Sequence, residues 1–278
     1  MLIWEFTLII GLGSMLAGLL GALTGLGGGV VIVPLLTLGF GVDIRYAIGA
    51  SLISVIATSS GAAVAYVREG FSTLRVGMLL EIATTLGATG GALLAAHVAP
   101  RFIAVIFGLV LLASVYFSVK GPSSPEAEGA PDGLATRLRL DSQYPARDGI
   151  RPYHVRNVPL GFGLMGVAGL LSGLLGIGSG ALKVLAMDQA MRLPFKVSTT
   201  TSNFMIGVTA AASAGIYLNR GYIDPGLAMP TMLGVLAGSL LGARLLAGAR
   251  PQALRWVFGA VILALGVEMI ANGLAGRI

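Results

Sequence analysis

The sequence predicts an all-α, polytopic membrane protein made of two inverted-topology repeats. Each repeat is expected to contain a short broken or re-entrant helix, with eight to ten crossings in all. Three observations predict it. Of the 278 residues, 55% are hydrophobic and only 11% charged. A soluble domain carries about 25% charged residues, so this chain cannot cover a water-facing surface. The second observation is a pair of glycine knots set in apolar sequence, Gly25-Leu26-Gly27-Gly28-Gly29 and Gly176-Ile177-Gly178-Ser179-Gly180. The third is that these knots belong to an internal match that keeps one offset of 151 residues.

Taken in order, apolar segments run over about 6–23, 28–42, 46–67, 74–97 and 101–119. The start, Met1 to Phe6, lacks the basic stretch of a cleaved signal peptide, so the first segment is expected to be retained as a span. A polar stretch from Lys120 to Arg156 follows, with Pro122, Pro125, Pro131, Pro145 and Pro152 among mixed charges. It reads as a soluble loop. Apolar segments resume at about 157–175, 179–191, 196–218, 226–249 and 253–275. A span needs about 20 apolar residues. The second and seventh segments fall short and read as broken or re-entrant. The domain division is therefore 1–119, first membrane repeat; 120–156, cytoplasmic loop; and 157–278, second membrane repeat.

The duplication rests on residues that chance matches poorly. Ala17 to Leu20 fall on Ala168 to Leu171, Ser51 on Ser202, Thr58 on Thr209 and Tyr66 on Tyr217. Pro100 and Phe107 fall on Pro251 and Phe258 without a gap. With five crossings per half and the central loop inside, 13 of the 18 basic residues lie on the cytoplasmic side, from Arg68 and Arg75 to Arg250 and Arg255. That agrees with the positive-inside rule, and an odd number of crossings inverts the second copy. Were the short segments merely re-entrant, eight crossings would place Arg192, Lys196, Arg244, Arg250 and Arg255 outside. The protein is expected in the cell (inner) membrane, multi-pass.

Glycine removes side-chain bulk and lets the backbone leave a helix. Within a bilayer, irregular backbone is tolerated only where protein buries it or it lines a watery cavity. Two breaks at matching places in two halves are the pattern of a transporter's binding site. Neither knot is a G-x-G-x-x-G or a Walker loop. One reading is tight helix packing; the other is a break whose free N–H groups face an anion. The residues expected at the site are Gly27, Gly28, Gly29 and Ser51 from the first half, and Gly178, Ser179, Gly180, Lys183, Thr201, Ser202 and Asn203 from the second. Lys183 stands mid-segment where its repeat mate is Ile32. A lysine facing lipid at a helix centre costs about 2.5–3.5 kcal/mol on insertion scales, so it should face protein or water, as an anion receptor or paired with Asp188 or Glu81, or else snorkel to an interface. Thr199-Thr200-Thr201-Ser202-Asn203 is a polar run where the mates are mostly apolar. Glu81, opposite Met232, is the better of two acidic residues for proton coupling; the other is Glu268.

With no cysteine and only two histidines, thiol chemistry and Cys-based metal sites are excluded. No catalytic motif is present, and no cofactor or metal is expected. The formal net charge of +6 reads as loop charge rather than a nucleic-acid surface.

At the two knots the sequence resembles the TauE/SafE family, the sulfite exporter family. The resembling residues are Gly25 to Gly29 with Val33-Pro34, then Ala47-Ile48-Gly49-Ala50-Ser51-Leu52. In the second half they are Gly176 to Gly180 and Thr199-Thr200-Thr201-Ser202-Asn203-Phe204. The likeness covers both halves but not 120–156. The second half departs from the pattern, with Leu185 in place of Pro34 and Lys183 in place of Ile32. The resemblance implies a secondary transporter exporting sulfite, an organosulfonate or a related small anion, with the lipid bilayer as its other partner and a homodimer left open. The alternatives are a cation- or proton-coupled carrier of another solute and a non-transporting membrane scaffold.

Overall fold

The computed structural model describes residues 3–24, 28–68, 73–120, 132–146, 149–246 and 251–278. The first half contains α1 (Ile3–Thr24), α2 (Gly29–Pro34), α3 (Ile44–Arg68), α4 (Leu74–Ala95) and α5 (Pro100–Lys120). Between the halves lie α6 (Gly133–Arg137) and a hairpin of β1 (Ser142–Ala146) and β2 (Gly149–Tyr153). The second half contains α7 (Val158–Leu175), α8 (Gly180–Leu185), α9 (Phe195–Asn219), α10 (Pro225–Leu246) and α11 (Pro251–Leu274). The protein is an all-α membrane protein, with this small hairpin the one sheet among the described residues.

The 151-residue offset reappears in the helix boundaries. It relates α2 to α8, α3 to α9 and α4 to α10 at both ends, and α5 to α11 at their first residues, Pro100 and Pro251. It also relates a π-helical turn after α2, Leu35–Gly39, to one after α8, Ala186–Ala190. Pro34 ends α2 but its mate Leu185 ends α8, so proline is not what forces the π turn. Each short helix with its turn spans eleven residues, about 16 Å at 1.5 Å per residue. That is roughly half of the 30 Å hydrocarbon layer, as expected for a broken helix. The eight longer helices have 18–25 residues, and among the described residues α4 and α7 are long and apolar enough over their full length to cross a membrane.

Packing repeats the sequence relation. The main pairings are α1 with α10 and α7 with α4, and each is the repeat image of the other; α3 packs on α9 and α5 on α11. Glycine makes the first two pairings close. A Cβ on Gly18 would strike the backbone of Val235, and one on its mate Gly169 the backbone of Thr84, the mate of Val235. A Cβ on Gly87 would strike Gly166 and Leu170, and one on its mate Gly238 would strike Met15 and Leu19. Small residues allow this approach where lipid removes the hydrophobic drive for helix association. The same contacts give helix direction. α5 and α11 run antiparallel, since Gly273 meets Arg101 and Ala104 while Gly266 meets Gly108 and Leu111. α3 and α9 do so too, since Gly49 meets Tyr222 just beyond α9 while Ser59 meets Gly207. α1 and α2 fold back on each other, bringing Phe6 edge-on to Phe40 at 5.8 Å.

The outward faces are apolar. Leu8, Leu12 and Leu16 form an exposed stripe on α1, and Met78, Ile82 and Leu86 form one on α4. Spacing of four keeps each stripe on one helix face, and lipid is the solvent that suits it.

Within the stretch expected as a soluble loop, the described residues 132–146 and 149–156 form a folded cap. Ala135, Leu140, Tyr153 and Val155 are buried with Val76, Leu80, Met191 and Val197 of the bundle. Asp132 caps α6 by accepting from Leu134 N at 3.2 Å, and its other oxygen accepts from Val158 N at 3.2 Å, tying the cap to α7. Asp141 accepts from Val155 N at 2.9 Å and lies 3.5 Å from His154 Nδ1. Charges and prolines hid this in the sequence, because the cap's few apolar residues bury against another part of the chain.

Candidate functional site

The second knot unwinds the chain between α7 and α8. Gly176, Gly178 and Ser179 have φ of 69°, 70° and 47°, the left-handed region that glycine enters without a Cβ clash. Gly176 N still donates to Ser172 O at 2.8 Å, closing α7, and α8 begins at Gly180. In the first half Gly28 is helical, φ −65°, whereas its repeat mate Ser179 is left-handed. Gly27, with Gly25 and Leu26, lies outside the described residues.

The two breaks meet at α3. Ser51 Oγ lies 2.8 Å from Gly176 O and 3.3 Å from Gly29 O, so one hydroxyl reaches the carbonyls of both halves. Its mate Ser202 donates to Gly180 O at 3.2 Å. A Cβ on Gly29 would lie 2.7 Å from Val55, 2.9 Å from Ser51 Oγ and 3.3 Å from Gly176 O, so only glycine lets the breaks close. Gly178 faces Val55 and Ile206, which are themselves repeat mates.

Beside this junction lies a buried polar chain across three helices. Lys183 of α8 is 0% exposed, and its Nζ donates to Thr209 Oγ1 of α9 at 2.6 Å. Thr209 Oγ1 is 2.7 Å from Glu81 Oε1 of α4, which also accepts from Thr85 at 3.2 Å. Glu81 is 8% exposed, and its other oxygen, Oε2, is buried with no hydrogen-bond partner. Of the two carboxylates weighed as partners for Lys183, the fold brings Glu81 to it, through a hydroxyl. A buried charge of either sign alone would be costly, and the pair offsets that cost only because hydrogen bonds bridge it. The repeat mates of Lys183, Thr209 and Glu81 are Ile32, Thr58 and Met232. The duplicated frame therefore carries one ionic copy of this constellation and one without charge.

Other expected residues are distributed around it. Ser179 is buried at the break, its hydroxyl without a partner. Gly28 packs on Val235 of α10 and Gly18 of α1. Thr201 turns away from the breaks and accepts from Thr73 N at 3.2 Å. Asn203 is half-buried, and Glu268 is exposed on α11, away from this cluster. The residues sequence reasoning missed as site members are Thr209, Thr85, Thr73 and Tyr153. Thr209 carried a signal: it lies eight residues after Thr201, on the same helix face.

Tyr153 of the cap hydrogen-bonds Thr73 Oγ1, and Thr73 bonds Thr201. Burial pushes the Tyr153 phenol above its ordinary range, so it stays protonated. From Thr73 and Thr201, α4 and α9 descend in parallel past Gly77 and Met205 to Glu81 and Thr209. Eight residues of helix are about 12 Å, so the cap sits two turns above the ionic chain. At the opposite end of α4, Arg45 donates to Ala95 O and Val98 O, and Arg220 to Ala92 O and Leu93 O. Basic groups there complement the helix C-terminus.

Among the described residues no group of three His, Cys, Asp or Glu could hold a metal ion. The arrangement offers an ammonium, hydroxyls and unwound backbone, which suit a small oxyanion.

The family model "Sulfite exporter TauE/SafE" matches residues 10–269. The probable membrane transporter protein YunE of Bacillus subtilis (strain 168) is 28% identical over 97% of this chain and 99% of its own length. A probable membrane transporter protein of Xylella fastidiosa (strain 9a5c) is 26% identical over 97% of each chain. The probable membrane transporter protein MJ0441 of Methanocaldococcus jannaschii is 23% identical, covering 96% of this chain and 97% of its own. No solved structure matches the chain.

Proposed function

This chain belongs to the sulfite exporter TauE/SafE family, and from that premise we propose that it is a secondary transporter exporting a small sulfur oxyanion, sulfite or an organosulfonate, across the cell (inner) membrane. That it is a membrane transporter follows from the family and from its relatives. The observation that carries the finer reading is Lys183: a fully buried ammonium, bonded to Thr209, beside the point where the two chain breaks meet. A sulfonate or sulfite oxygen accepts hydrogen bonds from such donors, and a charge-assisted bond is about twice as strong as a neutral one.

The antiparallel directions of α3 against α9 and α5 against α11 support an inverted repeat. In inverted repeats the substrate site lies near the bilayer midplane, where the copies meet. The fold-back of α1 and α2 starts and ends on one side, so it adds an even number of crossings whether or not its tip spans. With α3, α4 and α5 each half then has an odd number, and the cap with its basic residues is cytoplasmic. An inside-negative potential contributes about 2.3 kcal/mol per charge per 100 mV and drives an anion outward without ATP.

The test is flux in proteoliposomes under imposed potentials. Sulfite, sulfoacetate, taurine and sulfate are offered in turn. The reading expects at least one to move, faster when the potential expels it, and expects Lys183→Ala to abolish the movement. Failure of all four under either polarity favours the scaffold alternative.

A further inference from the structure

We propose that Glu81 is a built-in competitor of the substrate for Lys183, so that each anion bound brings one proton onto Glu81. This rests on the anion-transport reading of the same site. The starting point is the chain Lys183–Thr209–Glu81, which occupies the donors an anion would need. An arriving anion that takes the Lys183 ammonium and the Thr209 hydroxyl leaves a carboxylate buried beside α9 with neither. A proton taken up from solvent, bonding to the carboxylate at the buried, partnerless Oε2, removes that charge. No bond in the anion changes. The proton leaves when the anion leaves, and Glu81 returns to Thr209.

Among the charges on the helices around Glu81, the fold joins Lys183 to it through Thr209. Of the elements packed around Glu81, α7 carries no ionisable residue, α9 carries Lys196 and Tyr217, and α8 with its π turn carries Lys183 and Asp188. On α4 itself the other charge is Arg75, which reaches Arg139 O in the cap. The duplication supplies an independent observation. At the mated positions the chain has Ile32 and Met232, so the frame closes with neither charge. A lone acid or a lone base would have sufficed for a structural hydrogen bond to Thr209; a balanced pair keeps the empty site neutral.

For a singly charged anion the loaded carrier then moves no net charge, and for a doubly charged one it moves a single negative charge, so the outward drive of the potential acts on the doubly charged anions. Uptake of one proton on binding also makes the apparent affinity fall about tenfold per pH unit where the empty site is deprotonated.

The experiment is calorimetric titration of the full-length detergent-purified protein with sulfite, in two buffers of different ionisation enthalpy, alongside sulfite flux in proteoliposomes. The expected result is about one proton taken up per anion bound in the wild type and near zero in Glu81→Gln, with Glu81→Ala standing in should the Gln variant fail to purify. Sulfite binding with no proton uptake in the wild type overturns the proposal while leaving the transport reading intact. Uptake unchanged in the variants also overturns it, as does a folded variant that no longer binds, since a competitor cannot be required for binding. A wild type that neither binds nor moves sulfite or the other anions overturns the transport reading and this proposal together.

Discussion

Ser51 and Ser202 are repeat mates, and each points its hydroxyl at the first carbonyl of the short helix in its own half, Gly29 O at 3.3 Å and Gly180 O at 3.2 Å. The symmetry then breaks, because Ser51 also lies 2.8 Å from Gly176 O, in the other half. One hydroxyl thus joins the two chain breaks.

Ser51→Ala is expected to cost more stability than Ser202→Ala. It leaves the buried carbonyl of Gly176 without its Ser51 partner, a loss of about 1–3 kcal/mol, whereas Ser202→Ala should stay near 1 kcal/mol. Thermal unfolding of the two detergent-purified variants ranks them. Equal midpoints would mean that Ser51 does not join the halves.

Removing one member of the buried ionic chain should be worse than removing both. Lys183→Ile or Glu81→Met alone leaves an uncompensated buried charge, at about 3–5 kcal/mol. The double variant reproduces Ile32 and Met232 of the other repeat, and is expected to be as stable as the wild type or about 1–4 kcal/mol more so. A double-variant cycle by denaturation measures the coupling. The double variant should carry no anion flux, because it lacks the ammonium.

Neighbouring glycines on α4 should respond oppositely to alanine. A Cβ on Gly91 would strike the backbone of Leu170, whereas one on Gly90 meets nothing within 4 Å. Gly91→Ala is expected to separate α4 from α7 and lower the folded yield, with a cost of about 1–3 kcal/mol from overpacking. Gly90→Ala should be neutral or stabilise by about 0.5–1 kcal/mol, the helix preference of Ala over Gly. Size-exclusion profiles and melting curves of the two proteins decide it.

The cap should loosen when its phenol is removed. Tyr153→Phe deletes the bond to Thr73 and is expected to weaken cap docking by about 0.5–1.5 kcal/mol. Hydrogen exchange should rise roughly three- to tenfold in 142–153 while α5 and α11 stay protected. An unchanged hairpin would mean that the cap's buried apolar residues and its other hydrogen bonds hold it without the phenol.

Much of this was legible before any coordinates. The membrane class lay in the scarcity of charge, and the matches of Ser51 with Ser202 and Pro100 with Pro251 set the register that the helix boundaries then repeated. The break at Gly176 to Ser179 was legible because left-handed backbone selects glycine locally. Lys183 and Glu81 each stood out as a charge within apolar sequence. Their pairing was one of two alternatives, with Asp188 the other, but the Thr209 bridge was not legible, because Glu81 is 128 residues from Thr209 and no local pattern records so distant a partner. The docking of residues 132–146 and 149–156 on the bundle was hidden for the same reason: Tyr153 and Val155 share a buried cluster with Val76 of α4 and Val197 of α9.

The sequence by itself determined what the chain dissolves in, that it repeats, and where each repeat must bend, since composition, offset and glycine are properties of neighbours along the chain. Only the tertiary structure decided that the bends touch through Ser51, that Thr209 stands between one acid and one base, and that the segment joining the halves folds over α4 and α9. Those are distances between residues far apart in sequence. Packing sets them, because a buried charge or an unpaired carbonyl must find its partner wherever the fold brings one within about 3 Å.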